Sequence, residues 1–221
     1  MISGIDATAI AMTSPNSSSP VLAQQRLRHF VTSFSALLDR GLEPAQLIRA
    51  GSGLLAQLVA VDDWLPEAYA QPHPERYSQY LLHADSAERF SIVSFVWGPG
   101  QQTPIHDHTV WGLIGMLRGA EDSQSYRWEN DQLLPHGEPV RLKAGDVEAV
   151  APQVAGLHDI HRVRNLYDDR VSISIHVYGA NIGAVRRSVY LEDGTRKEFI
   201  SGYSNTTLPN IWDVSREQKA Q

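Results

Sequence analysis

The stretch Gly100-Gln101-Gln102-Thr103-Pro104-Ile105-His106-Asp107-His108, continued by Thr109-Val110-Trp111-Gly112 and closed by Gly119, decides how the chain is read. Its two histidines stand two residues apart. On a β-strand such residues point to the same face, so both imidazoles can reach one ion. An H-x-H pair alone is equally at home as two partly exposed loop histidines. Here it sits inside a ladder of glycines, G-(x5)-H-x-H-(x3)-G-(x6)-G. A second histidine segment follows downstream, with His158 and His161 both candidates for a third ligand. His29, His73, His83 and His136 belong to no such pattern and are expected to be surface or packing residues.

Around this stretch the chain has a β texture. Short β-prone runs are expected at Tyr77–His83, Phe90–Trp97, Trp111–Leu117, Ser125–Trp128, Asp146–Val150 and Val171–Tyr178. Pro99-Gly100, His136-Gly137, Ala144-Gly145 and Asp193-Gly194 punctuate them as turns. Ahead of them, Ser19-Pro20 opens a predicted helix whose apolar face is Leu27, Phe30, Val31, Phe34, Leu37 and Leu38, with Gly41 as its cap. A second helix is predicted from Pro44, presenting Leu47, Ile48, Leu54, Leu55, Leu58 and Val59, although Gly51 and Gly53 weaken its middle. Many short strands behind two helices predict one mainly β domain over residues 19–221. It consists of a helical segment at 19–70 and a β-barrel at about 77–200 with the helices packed outside. Residues 1–18, rich in Ser, Ala and Thr without periodicity, are expected to form a flexible arm.

Composition narrows the function. With 221 residues there is room for one substantial core, and the formal charge of -6 offers no basic field for nucleic acid or an anionic membrane. The chain has no cysteine, which excludes disulfides, zinc-thiolate sites and a cysteine nucleophile; a transition metal would need His, Asp or Glu. No run approaches the roughly 18 apolar residues of a membrane span. The N-terminus lacks the basic start and apolar run of a signal peptide, so a cytoplasmic protein is expected.

Val171-Ser172-Ile173-Ser174-Ile175-His176-Val177-Tyr178 alternates strictly between apolar and polar residues. Its polar face either meets solvent, as on many half-buried strands, or lines a cavity, where Ser174, His176 and Tyr178 form a hydrogen-bonded row.

The glycine and histidine spacing resembles the first cupin motif, except that Gly112 stands where a metal-binding Glu is usual. His161-Arg162-Val163-Arg164-Asn165 matches the H-(x3)-N ending of the second motif, which favours His161 over His158 as third ligand. Three neutral imidazoles leave a divalent ion its full charge and about three open positions, suited to an anionic chelating substrate such as a thiolate. Imidazole ligation alone equally permits zinc, copper or nickel. From about Tyr77 to Tyr190 the chain is similar to the thiol dioxygenase branch of the cupins, the cysteine dioxygenase family. Within it, the chain more closely resembles the bacterial 3-mercaptopropionate dioxygenases.

The resemblance implies a jelly-roll barrel and Fe(2+) at His106, His108 and His161. Its Ser-His-Tyr triad falls on Ser174, His176 and Tyr178. Gly112 replaces the Cys that cross-links to the Tyr in animal enzymes, and Gln79 replaces the Arg that holds the cysteine carboxylate. Arg187, nine residues after Tyr178, then takes the substrate carboxylate, with Gln79 beside it and Arg186 pointing elsewhere. The expected reaction adds O2 to the sulfur of a small thiol carboxylate, with no obligate protein partner. Mercaptosuccinate or cysteine are alternative substrates, the former needing an additional contact from Gln79, Arg162 or Arg164. A non-catalytic ligand-binding cupin is the alternative of another class.

Overall fold

The computed structural model describes residues 20–191 and 193–215; the arm expected at 1–18 lies outside them. Helix α1 spans Pro20–Leu38 and α2 spans Pro44–Val59. Twelve strands follow: β1 Ser78–Ala84, β2 Ser91–Trp97, β3 Ile105–His106, β4 Gly112–Arg118, β5 Ala120–Glu129, β6 Gln132–Pro135, β7 Val140–Lys143, β8 Val147–Val150, β9 His161–Asn165, β10 Ser172–Tyr178, β11 Arg187–Tyr190 and β12 Arg196–Phe199. They form two antiparallel sheets, β1-β2-β10-β4-β8 and β12-β11-β3-β9-β5-β6, with β7 paired to β5. This is the cupin jelly roll with helices outside. Among the described residues, no helix is long and apolar enough to cross a membrane.

The two helices cover the outer face of the five-stranded sheet. Leu27, Phe30, Val31 and Phe34 of α1 and Ile48, Leu55, Leu58 and Val59 of α2 are buried together with Ile92, Val96, Leu113, Leu117, Ile173, Ile175 and Val177. Each such side chain contributes about 1.5–3 kcal/mol on burial. Leu38, Leu47 and Leu54, expected on the apolar faces, are only partly buried. Gly51 is not the weak point its type suggests. A Cβ there would stand 2.9 Å from Leu113 and 3.0 Å from Phe34, so its bareness lets α2 seat against β4. Across the contact Gly115 does the same, its Cβ position lying 2.8 Å from Leu55.

Strand β10 runs between β2 and β4, and all seven of its residues are buried. Ile173, Ile175 and Val177 face the helices, which turns Ser174, His176 and Tyr178 into the barrel and excludes the solvent-facing reading. The expected β runs agree with β1, β2, β4, β8 and β10 to within a residue or two, and β5 is longer than expected. The short strands β6, β7, β9, β11 and β12 had no signal of their own, and β3, expected from the spacing of His106 and His108, ends at His106.

Candidate metal centre

The middle of one sheet brings three histidines together. His106 on β3 pairs directly across from His161 on β9, so their side chains share a face, and His108 follows two residues on. One ring nitrogen from each lies within 4.8 Å of the others, and all three residues are buried. His158 is not among them: it sits in the loop before β9 with its ring 4.6 Å from that of His136.

Each Nδ1 is held from outside the cluster. His106 Nδ1 lies 3.1 Å from the Pro104 carbonyl and His108 Nδ1 lies 3.1 Å from Asp159 Oδ1. Both partners can only accept, so these Nδ1 atoms carry hydrogen and each Nε2 keeps its lone pair for the centre. His161 Nδ1 meets the Ser123 hydroxyl at 3.1 Å. Asp159 also takes the backbone N–H groups of His108 at 3.0 Å and Thr109 at 3.1 Å, fixing the loop that carries the middle histidine. Neither Asp159 nor Ser123 was singled out in the sequence; the only hint was a carboxylate inside His158-Asp159-Ile160-His161.

Burial, and after it the charges of neighbouring histidines, holds His106 and His161 well below the usual imidazole range. Both are therefore neutral. His108 Nε2 is buried without a hydrogen-bond partner. A buried, unpartnered lone pair beside two further imidazoles fits a divalent transition metal, which supplies the partner these atoms lack.

On the facing sheet, Ser174, His176 and Tyr178 form a continuous row. Ser174 Oγ lies 2.9 Å from His176 Nε2, and His176 Nδ1 lies 2.8 Å from the Tyr178 hydroxyl. Trp97 Nε1 donates to Ser174 Oγ at 3.2 Å. The Tyr178 ring stacks on His108 with centroids 5.6 Å apart, which places the row beside the histidine cluster. Burial raises the phenol well above its usual value, partly opposed by Arg187, so Tyr178 remains neutral.

Next to His106 opens a cavity of about 250 Å³ walled by Tyr77, Gln79, Phe95, Arg187 and Phe199. Arg187 is 4% exposed. Its Nη2 donates to Ser201 Oγ at 2.8 Å, its guanidinium lies 4.8 Å over the Phe199 ring, and its Nε is buried without a partner. Arg186 points away and pairs with Glu198 at the surface. Gln79 reaches the same cavity, but its amide nitrogen donates to the Gly202 carbonyl at 3.0 Å and the Ser201 carbonyl at 3.3 Å. These two bonds tie Gln79 to the segment whose Ser201 hydroxyl accepts from Arg187.

Arg162 and Arg164, considered for a second carboxylate, alternate away from His161 along β9. Arg164 binds Asp122 at 2.9 Å, and Arg162 lies 6.0 Å from the centroid of the Tyr126 ring. Asn165 is a structural clasp: its Nδ2 donates to the Trp97, Gly98 and Arg170 carbonyls, tying the end of β9 to the end of β2.

The family model for cysteine dioxygenase type I matches residues 48–188, from α2 to β11. The chain belongs to the cysteine dioxygenase type I family. That span includes the three histidines, the Ser174–His176–Tyr178 row and Arg187. The chain is 23% identical to cysteine dioxygenase type 1 of Danio rerio over 160 residues, covering 71% of this chain and 72% of the relative. It is 25% identical to the Homo sapiens protein of that name over 114 residues, covering 50% of this chain and 54% of the relative. Among solved structures it is similar to a conserved protein with a double-stranded beta-helix domain from Klebsiella pneumoniae. That match has a TM-score of 0.41 and 19% identity, and covers 53% of this chain and 89% of the other.

Proposed function

We propose that this protein is an iron(II)-dependent thiol dioxygenase that adds both oxygen atoms of O2 to the sulfur of a small mercapto acid, 3-mercaptopropionate, giving the sulfinic acid. The observation that carries the substrate half is Arg187, a buried guanidinium with an unpartnered Nε on the wall of the cavity that reaches His106. A buried cation with a spare donor suits a carboxylate, and Arg binds one through two parallel hydrogen bonds. Family membership and the three neutral imidazoles support the other half.

Iron(II) held by the Nε2 atoms of His106, His108 and His161 would supply the redox chemistry between sulfur and dioxygen. The remaining contributions belong to the chain. Arg187 anchors the carboxylate and so sets how far the thiol reaches toward the histidines. Phe95, Phe199 and Tyr77 keep the cavity apolar around it. Tyr178, neutral and held by His176, keeps a hydroxyl beside His108 for hydrogen bonding to the reacting groups.

Reconstitution with iron(II) without air, followed by oxygen uptake and sulfinate analysis over a thiol panel, tests the proposal. The expected result is stoichiometric uptake, with the largest kcat/KM for 3-mercaptopropionate. A larger value for mercaptosuccinate or cysteine would reassign the substrate. Zinc in the purified protein, with no oxygen uptake on any thiol after iron loading, would point to a non-catalytic ligand-binding cupin instead.

A further inference from the structure

The residue between two of the clustered histidines is turned to a different task. Asp107 is buried, and its carboxylate reaches β11 rather than the metal centre. Its Oδ1 accepts the Ser188 N–H at 2.7 Å, and its Oδ2 accepts the Tyr190 hydroxyl at 2.7 Å. Its own N–H donates to the Ser188 carbonyl at 3.1 Å. Both carboxylate oxygens are used, and hydrogen bonds this short to a carboxylate are among the stronger ones. The ladder between β3 and β11 ends at His106, which pairs with Val189. From there the three Asp107 bonds continue the attachment into the segment that carries His108.

The place of this clasp relates the two ends of the site. Asp107 is flanked in sequence by His106 and His108, and Ser188 is flanked by Arg187 and Val189. Side chains alternate along a strand, so Ser188 and Tyr190, bonded around Asp107, leave Arg187 and Val189 to face the cavity that they line beside His106. Two metal-ligand candidates and the buried guanidinium are thus each one residue away from the same bonds. From the neighbouring strand, Arg196 Nε donates to Ser188 Oγ at 2.6 Å and steadies the β11 side of the clasp.

We infer that Asp107 is a positioning residue that sets the span between the histidine cluster and Arg187, and so selects thiol carboxylates by chain length. This rests on the proposed reading that Arg187 takes the carboxylate while the sulfur faces the three histidines. A ligand held at both ends must match the span between its two holders. Where that span is fixed, one methylene too many or too few costs about 10–200-fold in discrimination. Where it is loose, the difference between homologues fades.

The test is calorimetry without air on the full-length protein loaded with iron(II). It is titrated with mercaptoacetate, 3-mercaptopropionate, 4-mercaptobutyrate and cysteamine, the last having no carboxylate. The wild type is expected to bind 3-mercaptopropionate about tenfold or more tightly than either homologue. Asp107→Ala, which removes both carboxylate bonds, is expected to weaken 3-mercaptopropionate by about tenfold and to cut its preference over 4-mercaptobutyrate below about threefold. Cysteamine should stay within about threefold of its wild-type affinity, and iron content should match the wild type. Asp107→Asn should restore the preference, because its amide oxygen still accepts the Ser188 N–H and its amide nitrogen donates to the Tyr190 oxygen. Tyr190→Phe loses one bond with the aspartate in place and should lie between, which reads the same point if Asp107→Ala does not fold.

Length selection that is undiminished in Asp107→Ala and Tyr190→Phe overturns the inference. So does a folded Asp107→Ala that loses its iron, or that weakens cysteamine as much as 3-mercaptopropionate, since the effect would then lie on the histidines alone. A wild type that binds carboxylated thiols no more tightly than cysteamine overturns the carboxylate-anchor reading and the inference with it. That failure shows in the wild type before any variant is made, which separates it from a failure of Asp107.

Discussion

Gly112 lies directly across from Tyr178 on the neighbouring strand, and a Cβ at Gly112 would stand 3.0 Å from the phenol ring and 3.0 Å from Val150. The position that carries a carboxylate ligand in the general cupin motif is here vacated for an aromatic ring. Gly112→Ala should displace that ring by a few tenths of an ångström and lower kcat by about tenfold. Its metal content should match the wild type. Loss of metal together with activity would mean that the glycine matters for the histidines rather than for Tyr178.

Asp159 grips His108 through its ring and its backbone. Asp159→Ala is expected to weaken metal binding by about 10–100-fold, read by competition against a chelator. His161→Ala should abolish loading, while His158→Ala, outside the cluster, should leave it unchanged. Normal loading in His161→Ala would overturn the ligand assignment.

Removing Arg187 should separate substrates by charge. Arg187→Ala is expected to raise KM for 3-mercaptopropionate by about 100-fold while moving that for cysteamine less than threefold, as befits the loss of a charge-assisted pair of hydrogen bonds. Equal effects on both thiols would argue against a carboxylate clamp.

Glu121, buried on β5, makes a stability prediction. A carboxyl raised by burial from 4.5 to about 8 takes up a proton on folding, so its stabilising contribution is complete below pH 4.5 and is lost as pH rises through about 8. His106, His161 and His176 are shifted the opposite way and favour folding at higher pH, so the wild-type curve mixes both signs. The difference between Glu121→Gln and wild type isolates the carboxyl. In urea unfolding of the metal-loaded proteins, the variant should gain on the wild type by on the order of 3 kcal/mol between about pH 5 and 8. A difference that does not change with pH would show that Glu121 keeps an ordinary carboxyl.

What the sequence disclosed was what strand periodicity can carry. Ser174 with His176 and Tyr178 advertise themselves because residues two apart on a strand share a face, and His106 with His108 do so by spacing alone, since β3 ends at His106. Strands β9, β11 and β12 do not, since His161-Arg162-Val163-Arg164-Asn165, Arg187-Ser188-Val189-Tyr190 and Arg196-Lys197-Glu198-Phe199 are short and rich in arginine or lysine. Their pairing partners make them strands. Glu121 and Asp159 were invisible for a related reason: whether a carboxylate is buried depends on which strand arrives beside it. Arg187 and Gln79 were reached only through resemblance, and both line the cavity beside His106.

The bare contact between Gly51 and β4, matched by Gly115 beneath Leu55, gives the outer helices a mechanical part. With α2 seated this closely, the sheet carrying Tyr178 has no slack behind it. Added bulk at either glycine must be relieved by moving the helix outward or the sheet inward. The helical layer therefore acts as a shim that sets the width of the gap between the two sheets, although it contributes none of the three clustered histidines.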